Sequence, residues 1–186
     1  VVMVSDIDLY ASYIKAVFDN APDKFPYTIA DESYQNEDNV FSALIEILML
    51  NRRQFTSEKV LSLLDFSAIR KEFGIKDTAF ARNLVRAANI RLGIAGEKEN
   101  ESNFVSWKYG LKRIMYGLCM SGETEFDDGE DQFFPIDTVE GYDIMSATSF
   151  VAFAERVIDH LERRKGKRKV SEWMNFIWDT IESFIG

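Results

Sequence analysis

The chain has 186 residues, 46% apolar and 28% charged, which is enough to bury one ordinary core and excludes a disordered tail or a membrane protein. Its 22 Lys and Arg against 31 Asp and Glu give a net charge of −9 and a pI near 4.7, which argues against a free-standing nucleic-acid binder. The single cysteine, Cys119, excludes a disulfide framework and a cysteine-based zinc site.

Val1-Val2-Met3-Val4 is an apolar, strand-like opening, and Ser5 or Asp6 can cap a helix continuing to about Asp19. Tyr10, Tyr13, Ile14, Val17 and Phe18 fall on one stripe of that helix, its expected buried face. Pro26-Tyr27-Thr28-Ile29 is a second short extended run. Strands this short need ladder partners, so the chain reads as a piece of something longer with a small β edge at its start. A polar run over 31–36 leads into a helix over 37–50. There Val40, Phe41, Leu44, Ile45, Ile47 and Leu48 form an apolar arc wide enough to place the helix deep in a core.

Three short helices follow. Thr56 or Ser57 can cap the first, Ser67 the second (ended by Gly74), and Asp77 a third reaching about Ala88. Residues 90–94 read as a brief extended stretch and 96–103 as a polar loop. A long helix over about 104–120 aligns Trp107, Leu111, Ile114 and Leu118. Gly110 and Gly117, one heptad apart on it, each cost about 1 kcal/mol against alanine, which predicts close approach of another backbone. Residues 121–131 carry Glu123, Glu125, Asp127, Asp128, Glu130 and Asp131, a solvated surface loop by composition. Two helices close the chain, one with Phe150, Ala154, Val157, Ile158 and Leu161, the other with Trp173, Phe176, Ile177, Ile181 and Phe184. The predicted fold class is mainly α.

Enzymatic constellations are nearly absent. Gly166-Lys167 lacks the glycine-rich turn and the following Ser or Thr of a phosphate-binding loop. His160 is the sole imidazole, so a multi-histidine metal site is precluded; beside its helix's apolar stripe it reads as solvent-exposed. An EF-hand registered on Gly129 fails at Phe126 and Pro135. No catalytic residue, metal ligand or cofactor is expected. Cys119, in an apolar stretch, reads as a small buried thiol. With no signal peptide and no apolar run of membrane-spanning length, a cytoplasmic location is expected.

Two surfaces remain as candidates. Residues 163–169 hold six cations in seven positions. Arg163, Arg164, Lys167 and Arg168 could touch phosphate, or the run could complement a helix dipole and continue as an exposed linker. Arg52-Arg53 and the Arg82/Arg86 pair are lesser candidates of the same kind. In the last helix Met174, Trp178, Ile181 and Ile185 form a second apolar stripe beside Trp173, Ile177 and Phe184. Such a helix needs cover on more than one side, which makes Trp173, Met174, Ile177, Trp178 and Ile181 candidate docking residues. Trp107, Trp173 and Trp178 could stack on bases, though their aliphatic neighbours favour a place in the core.

An ordered set of segments spans the chain: Val1-Val2-Met3-Val4-Ser5-Asp6-Ile7, Phe25-Pro26-Tyr27-Thr28-Ile29-Ala30-Asp31, Phe55-Thr56-Ser57-Glu58-Lys59, Asn89-Ile90-Arg91-Leu92-Gly93-Ile94, Trp107-Lys108-Tyr109-Gly110-Leu111 and Val170-Ser171-Glu172-Trp173. Together they resemble an internal stretch of the RecC family, the gamma subunits of bacterial exodeoxyribonuclease V (RecBCD). Glu32 stands where that family commonly has Arg, and Leu92 where it commonly has Trp, so a phosphate contact at 32 and base stacking at 92 are lost. The resemblance implies an inactivated superfamily 1 helicase fold, with 1–35 as a 2A-like edge (strand, helix, short strand) and 36–186 as a helical 2B-like domain. It implies a non-catalytic scaffold in double-strand break repair that holds the opened fork, guides single strands and takes part in scanning for Chi. RecB-like and RecD-like subunits and DNA ends are the implied partners, and ATP and Mg would be bound by those subunits. The residues alone leave open a different role, a helical protein-interaction module with no nucleic-acid contact.

Overall fold

The structure is a computed structural model that describes residues 3–4, 7–21, 26–29, 40–97, 101–137, 141 and 143–186. The chain divides into two compact units, residues 1–36 and 37–186.

The first unit is built on helix α1 (Ile7–Asp19). Its end is tied back by Asn20, whose side-chain amide donates to the Ala16 carbonyl at 2.7 Å. Tyr27 donates from its hydroxyl to Asp19 at 2.8 Å, and its ring lies 5.2 Å from that of Phe18. The expected buried stripe is largely open: Tyr10, Tyr13, Val17 and Phe18 are exposed, while Ala11 is buried. Part of the expected β edge falls on described residues. Met3, Val4 and residues 26–29 belong to no strand, because no strand lies beside them to complete a ladder among the described residues. Val1, Val2, Ser5, Asp6 and Glu32 lie outside the described residues.

The second unit contains helices α2 (Val40–Met49), α3 (Ser57–Ser62), α4 (Ser67–Glu72), α5 (Thr78–Ala87), α6 (Trp107–Gly117), α7 (Asp143–Arg163) and α8 (Val170–Phe184). A hairpin of β1 (Phe126–Asp127) and β2 (Gln132–Phe133) completes it. Thr56 caps α3 by accepting from the Lys59 amide at 3.2 Å, and Asp77 caps α5 by accepting from Ala79 and Phe80 at 2.8 and 3.0 Å. Ser67 is the first residue of α4 rather than its cap, a place taken by Phe66 without a side-chain bond. Gly74 ends that helix at φ +65°, the left-handed turn that suits a residue without Cβ.

Residues 90–94 act as a strap. Ser57 donates to the Arg91 carbonyl and Gly93 to the Phe55 carbonyl, both at 2.8 Å. On the other side the amides of Trp107 and Lys108 donate to Gly93 and Ile94 at 2.9 Å. The strap therefore satisfies two of the otherwise orphaned amides that open α6. Leu92 bridges to Thr56 and points half into solvent. Trp107, fully buried, packs on Phe55 and Phe150 with centroids 5.7 and 6.3 Å away. The predicted close approach to α6 is real: a Cβ on Gly117 would lie 2.2 Å from the Ile136 carbonyl oxygen, and one on Gly110 would lie 2.1 Å from the Ile90 side chain.

Helix α2 is less deeply placed than its composition promised. Ala43 and Ile47 are buried, with Leu50 just beyond, but Val40, Phe41, Ile45 and Met49 are exposed. Cys119 also departs from expectation. It lies just past the end of α6 and is exposed.

Candidate functional site

The candidate surfaces meet where α7 runs into α8. Along α7, Phe153, Val157 and His160 continue the buried face from Phe150 round its flank, and all are buried. Against it α8 lays Phe176, Thr180 and Phe184, spaced four apart and also buried. His160, expected in solvent, is only 5% exposed. Its ring stacks on Phe176 at 4.9 Å and meets Phe184 edge-on at 5.7 Å. Thr180 Oγ1 lies 3.4 Å from Nδ1 while donating to the Phe176 carbonyl at 2.7 Å. Burial first, then the nearby charges of Arg164 and Arg163, push the imidazole down to about 4. The buried face of α7 is wider than the stripe visible in its sequence, because a second helix covers its flank.

Four of the six cations of 163–169 are drawn into the fold. Arg163 pairs with Asp179 at 2.8 Å and lies 4.0 Å from Asp159. Arg164 donates to the Leu48 carbonyl near the end of α2, and Lys165 pairs with Glu162. Arg168 donates to the Arg163 carbonyl at the end of α7. Its guanidinium lies over Phe176 and Trp173, 4.8 and 5.3 Å from their centroids, a cation–π contact that ties the linker to α8. Lys167 is exposed and makes no hydrogen bond or ion pair among the described residues. The lesser candidates are similarly placed, with Arg52 3.2 Å from Glu162 and Arg82 3.1 Å from Asp65.

Along α8 the docking set divides by depth. Trp173, Ile177 and Ile181 are half-buried. Met174 and Trp178 are 58% and 61% exposed, and Val170 one turn earlier is 80% exposed. Spacing of four puts those three on one open stripe. Trp107 occupies the core as expected, whereas Trp178 does not.

The acidic segment 121–131 is an ordered feature that its composition concealed. Lys112 of α6 lies 2.7 Å from Asp128, 2.8 Å from Asp131 and 3.6 Å from Glu130. The Asp128 carboxylate accepts from Lys112 and from the amides of Asp131 and Glu130, which hold it down to about 2; Lys112 is raised by the same carboxylates despite its partial burial. Tyr116, Phe126 and Phe133 pack around them with centroids 4.9 to 5.9 Å apart. The overlooked signal was Asp128-Gly129 between two phenylalanines, a hairpin turn with Gly129 at φ +88°. Beside the hairpin lies a cleft of about 650 Å³. A second groove, between α6 and α7, has an apolar floor of Leu111, Met115 and Ile158. Among the described residues no group of three or more potential metal-ligating side chains gathers, and no helix is long and apolar enough to cross a membrane.

The family model described as RecBCD enzyme subunit RecC fourth domain matches residues 37–186, all of the second unit. The chain belongs to the RecC family. Curated relatives carry the same subunit name. The RecBCD enzyme subunit RecC of Escherichia coli (strain K12) is 32% identical over 197 aligned residues, covering 99% of this chain and 17% of the relative. That of Haemophilus influenzae is 35% identical over 128 residues, 66% of this chain and 11% of the relative. That of Mycolicibacterium smegmatis is 25% identical over 209 residues, 98% of this chain and 19% of the relative. The RecC-family chain thus spans less than a fifth of the length of each relative.

Proposed function

We propose that this RecC-family chain is a non-catalytic structural domain of an exodeoxyribonuclease V subunit, scaffolding DNA unwinding and strand guidance in recombinational double-strand break repair. In this reading residues 36–186 are a 2B-like helical domain of an inactivated helicase fold and 1–35 a 2A-like edge. RecB-like and RecD-like subunits are its partners in the cytoplasm. They bind ATP and Mg and perform the hydrolysis, while this domain positions helix faces and offers scattered cations to phosphate. The observation that carries the reading is the open stripe of Val170, Met174 and Trp178 on α8, in a chain whose family relatives are named as subunits of a larger enzyme. An apolar stripe backed by a packed helix face is a surface made for cover.

Testing it requires the domain in its assembly. Met174→Lys together with Trp178→Glu in the full subunit should reduce co-purification with the RecB-like partner at least about tenfold, as loss of a buried aromatic anchor does. Undiminished assembly overturns α8 as the docking face. The second reading, an interaction module without nucleic-acid contact, is favoured by one feature: Arg163, Arg164 and Arg168 are already engaged within the fold. Complexes that assemble normally and bind forked DNA unchanged after neutralising Arg163, Arg164, Lys167 and Arg168 would support it over the first.

A further inference from the structure

We propose that the aromatic cleft beside the β1–β2 hairpin is a docking site for an arginine side chain of a partner protein. Its floor is Tyr109 and Phe133, both buried, and its walls include Phe104 and Phe134, which are 43% and 49% exposed. Two partly exposed phenylalanines on one cleft offer aromatic surface that a cation can cover. At the rim Glu125 and Asp127 are exposed and pair with no cation among the described residues. The one cation lining the cleft, Arg113, is occupied: its Nε donates to the Phe134 carbonyl at 2.8 Å and its Nη1 to the Ala88 carbonyl at 3.1 Å. Lys112 is likewise committed, to Asp128 and Asp131. The cleft therefore combines aromatic surface with a net negative lining, Glu125, Asp127, Glu130 and Asp131 outnumbering Arg113.

That combination selects the occupant. A phosphate backbone would be repelled by the rim, and a metal ion would be kept off the rings by its tightly held water. A guanidinium satisfies both elements, lying flat on a phenylalanine while its edge donates to a carboxylate. The cleft is also held in shape before binding. Asn103 donates to Asp131 at 3.2 Å, Tyr109 donates to the Gln132 carbonyl at 3.2 Å, and Lys112 pins the turn. Little ordering is left for the partner to drive, which favours a rigid, specific contact. This inference stands on the cleft alone and does not depend on α8 or on the DNA-scaffold reading.

The test is an amide-resolved NMR titration of the 186-residue chain with acetyl-Gly-Arg-Gly-amide. The control is the same peptide carrying citrulline, a neutral arginine isostere. Shifts should saturate in the millimolar range and concentrate at residues 104, 129 and 134. The citrulline peptide should bind about tenfold more weakly or not at all, and Glu125→Gln with Asp127→Asn should weaken the arginine peptide about fivefold. Both substituted residues are exposed and keep a hydrogen-bond acceptor, so an unchanged spectrum away from the cleft certifies the fold. Equal binding of the two peptides, affinity unaltered in the double variant, or no saturable shift at the cleft would each overturn the proposal.

Discussion

His160 and Gly117 each carry a structural demand that a single substitution can measure. The imidazole is neutral in the fold and held near 4, against 6.5 for an unperturbed histidine. Between those values the unfolded chain takes up a proton that the folded chain refuses. Stability attributable to His160 is therefore complete above about pH 6.5 and falls as pH drops towards 4, by up to about 3 kcal/mol. Urea denaturation of the native chain and His160→Gln at several pH values isolates this effect from carboxylate titration. The gap between the two should shrink, or reverse in sign, on going from pH 7 to pH 4; a constant gap would refute the buried neutral imidazole. At Gly117 the obstacle to a side chain is backbone, the Ile136 carbonyl oxygen at 2.2 Å. Gly117→Ala should destabilise by about 1–3 kcal/mol despite the better helix propensity of alanine, seen as a lower urea midpoint with unchanged slope.

At the scale of elements the hairpin gives the clearest prediction. Lys112 holds Asp128 and Asp131 while the turn amides hold Asp128 from the other side. Lys112→Met should release the turn, lowering hydrogen-exchange protection across 128–133 while leaving α7 and α8 unchanged. Because the Asp128 carboxyl is depressed from 3.8 to about 2, its contribution is present above pH 3.8 and is lost as pH falls towards 2. Protection of the turn should follow the same course in the native chain and be nearly flat in Lys112→Met. What was legible in the sequence follows the same division. Caps such as Thr56 and Asp77, the terminator Gly74 and the crowded glycines of α6 depend on neighbours a few residues away or on a steric rule, so they could be read directly. His160, Cys119 and Trp178 could not, because whether a helix flank is covered depends on elements far along the chain. Helix α2 shows the same limit: its apolar arc was visible, but Ala43, Ile47 and the adjoining Leu50 alone are fully buried there, with Leu44 and Leu48 half-buried. The acidic segment was misread for another reason. Its charges suggested solvation, while the Asp-Gly turn and flanking phenylalanines that order it were a smaller signal within a louder one.

For the molecule as a whole, the net charge of −9 and the internal engagement of the basic run point the same way. Four cations, Arg163, Arg164, Lys167 and Arg168, were candidates for phosphate. In the fold three of them bind a carboxylate or a backbone carbonyl, and Lys167 is left facing solvent. Contact with DNA releases counterions in proportion to the phosphates neutralised, so the salt dependence of affinity counts the cations that take part. If the fold keeps its arginines, duplex binding by the chain should be weak, with a log–log salt slope of about −1. Were all four cations to turn outward, the slope would approach about −4. Fluorescence anisotropy of a labelled forked duplex from 25 to 200 mM salt distinguishes the two. The steep slope would mean that the 163–169 linker rearranges on DNA, giving up the Arg168 contact with Trp173 and Phe176. In that case quenching of Trp173 emission should accompany binding, and Arg168→Ala should weaken affinity by only one charge while removing the spectral change. Under the scaffold reading proposed above, the shallow slope would leave strand guidance to surfaces outside this chain, which would contribute its helix faces.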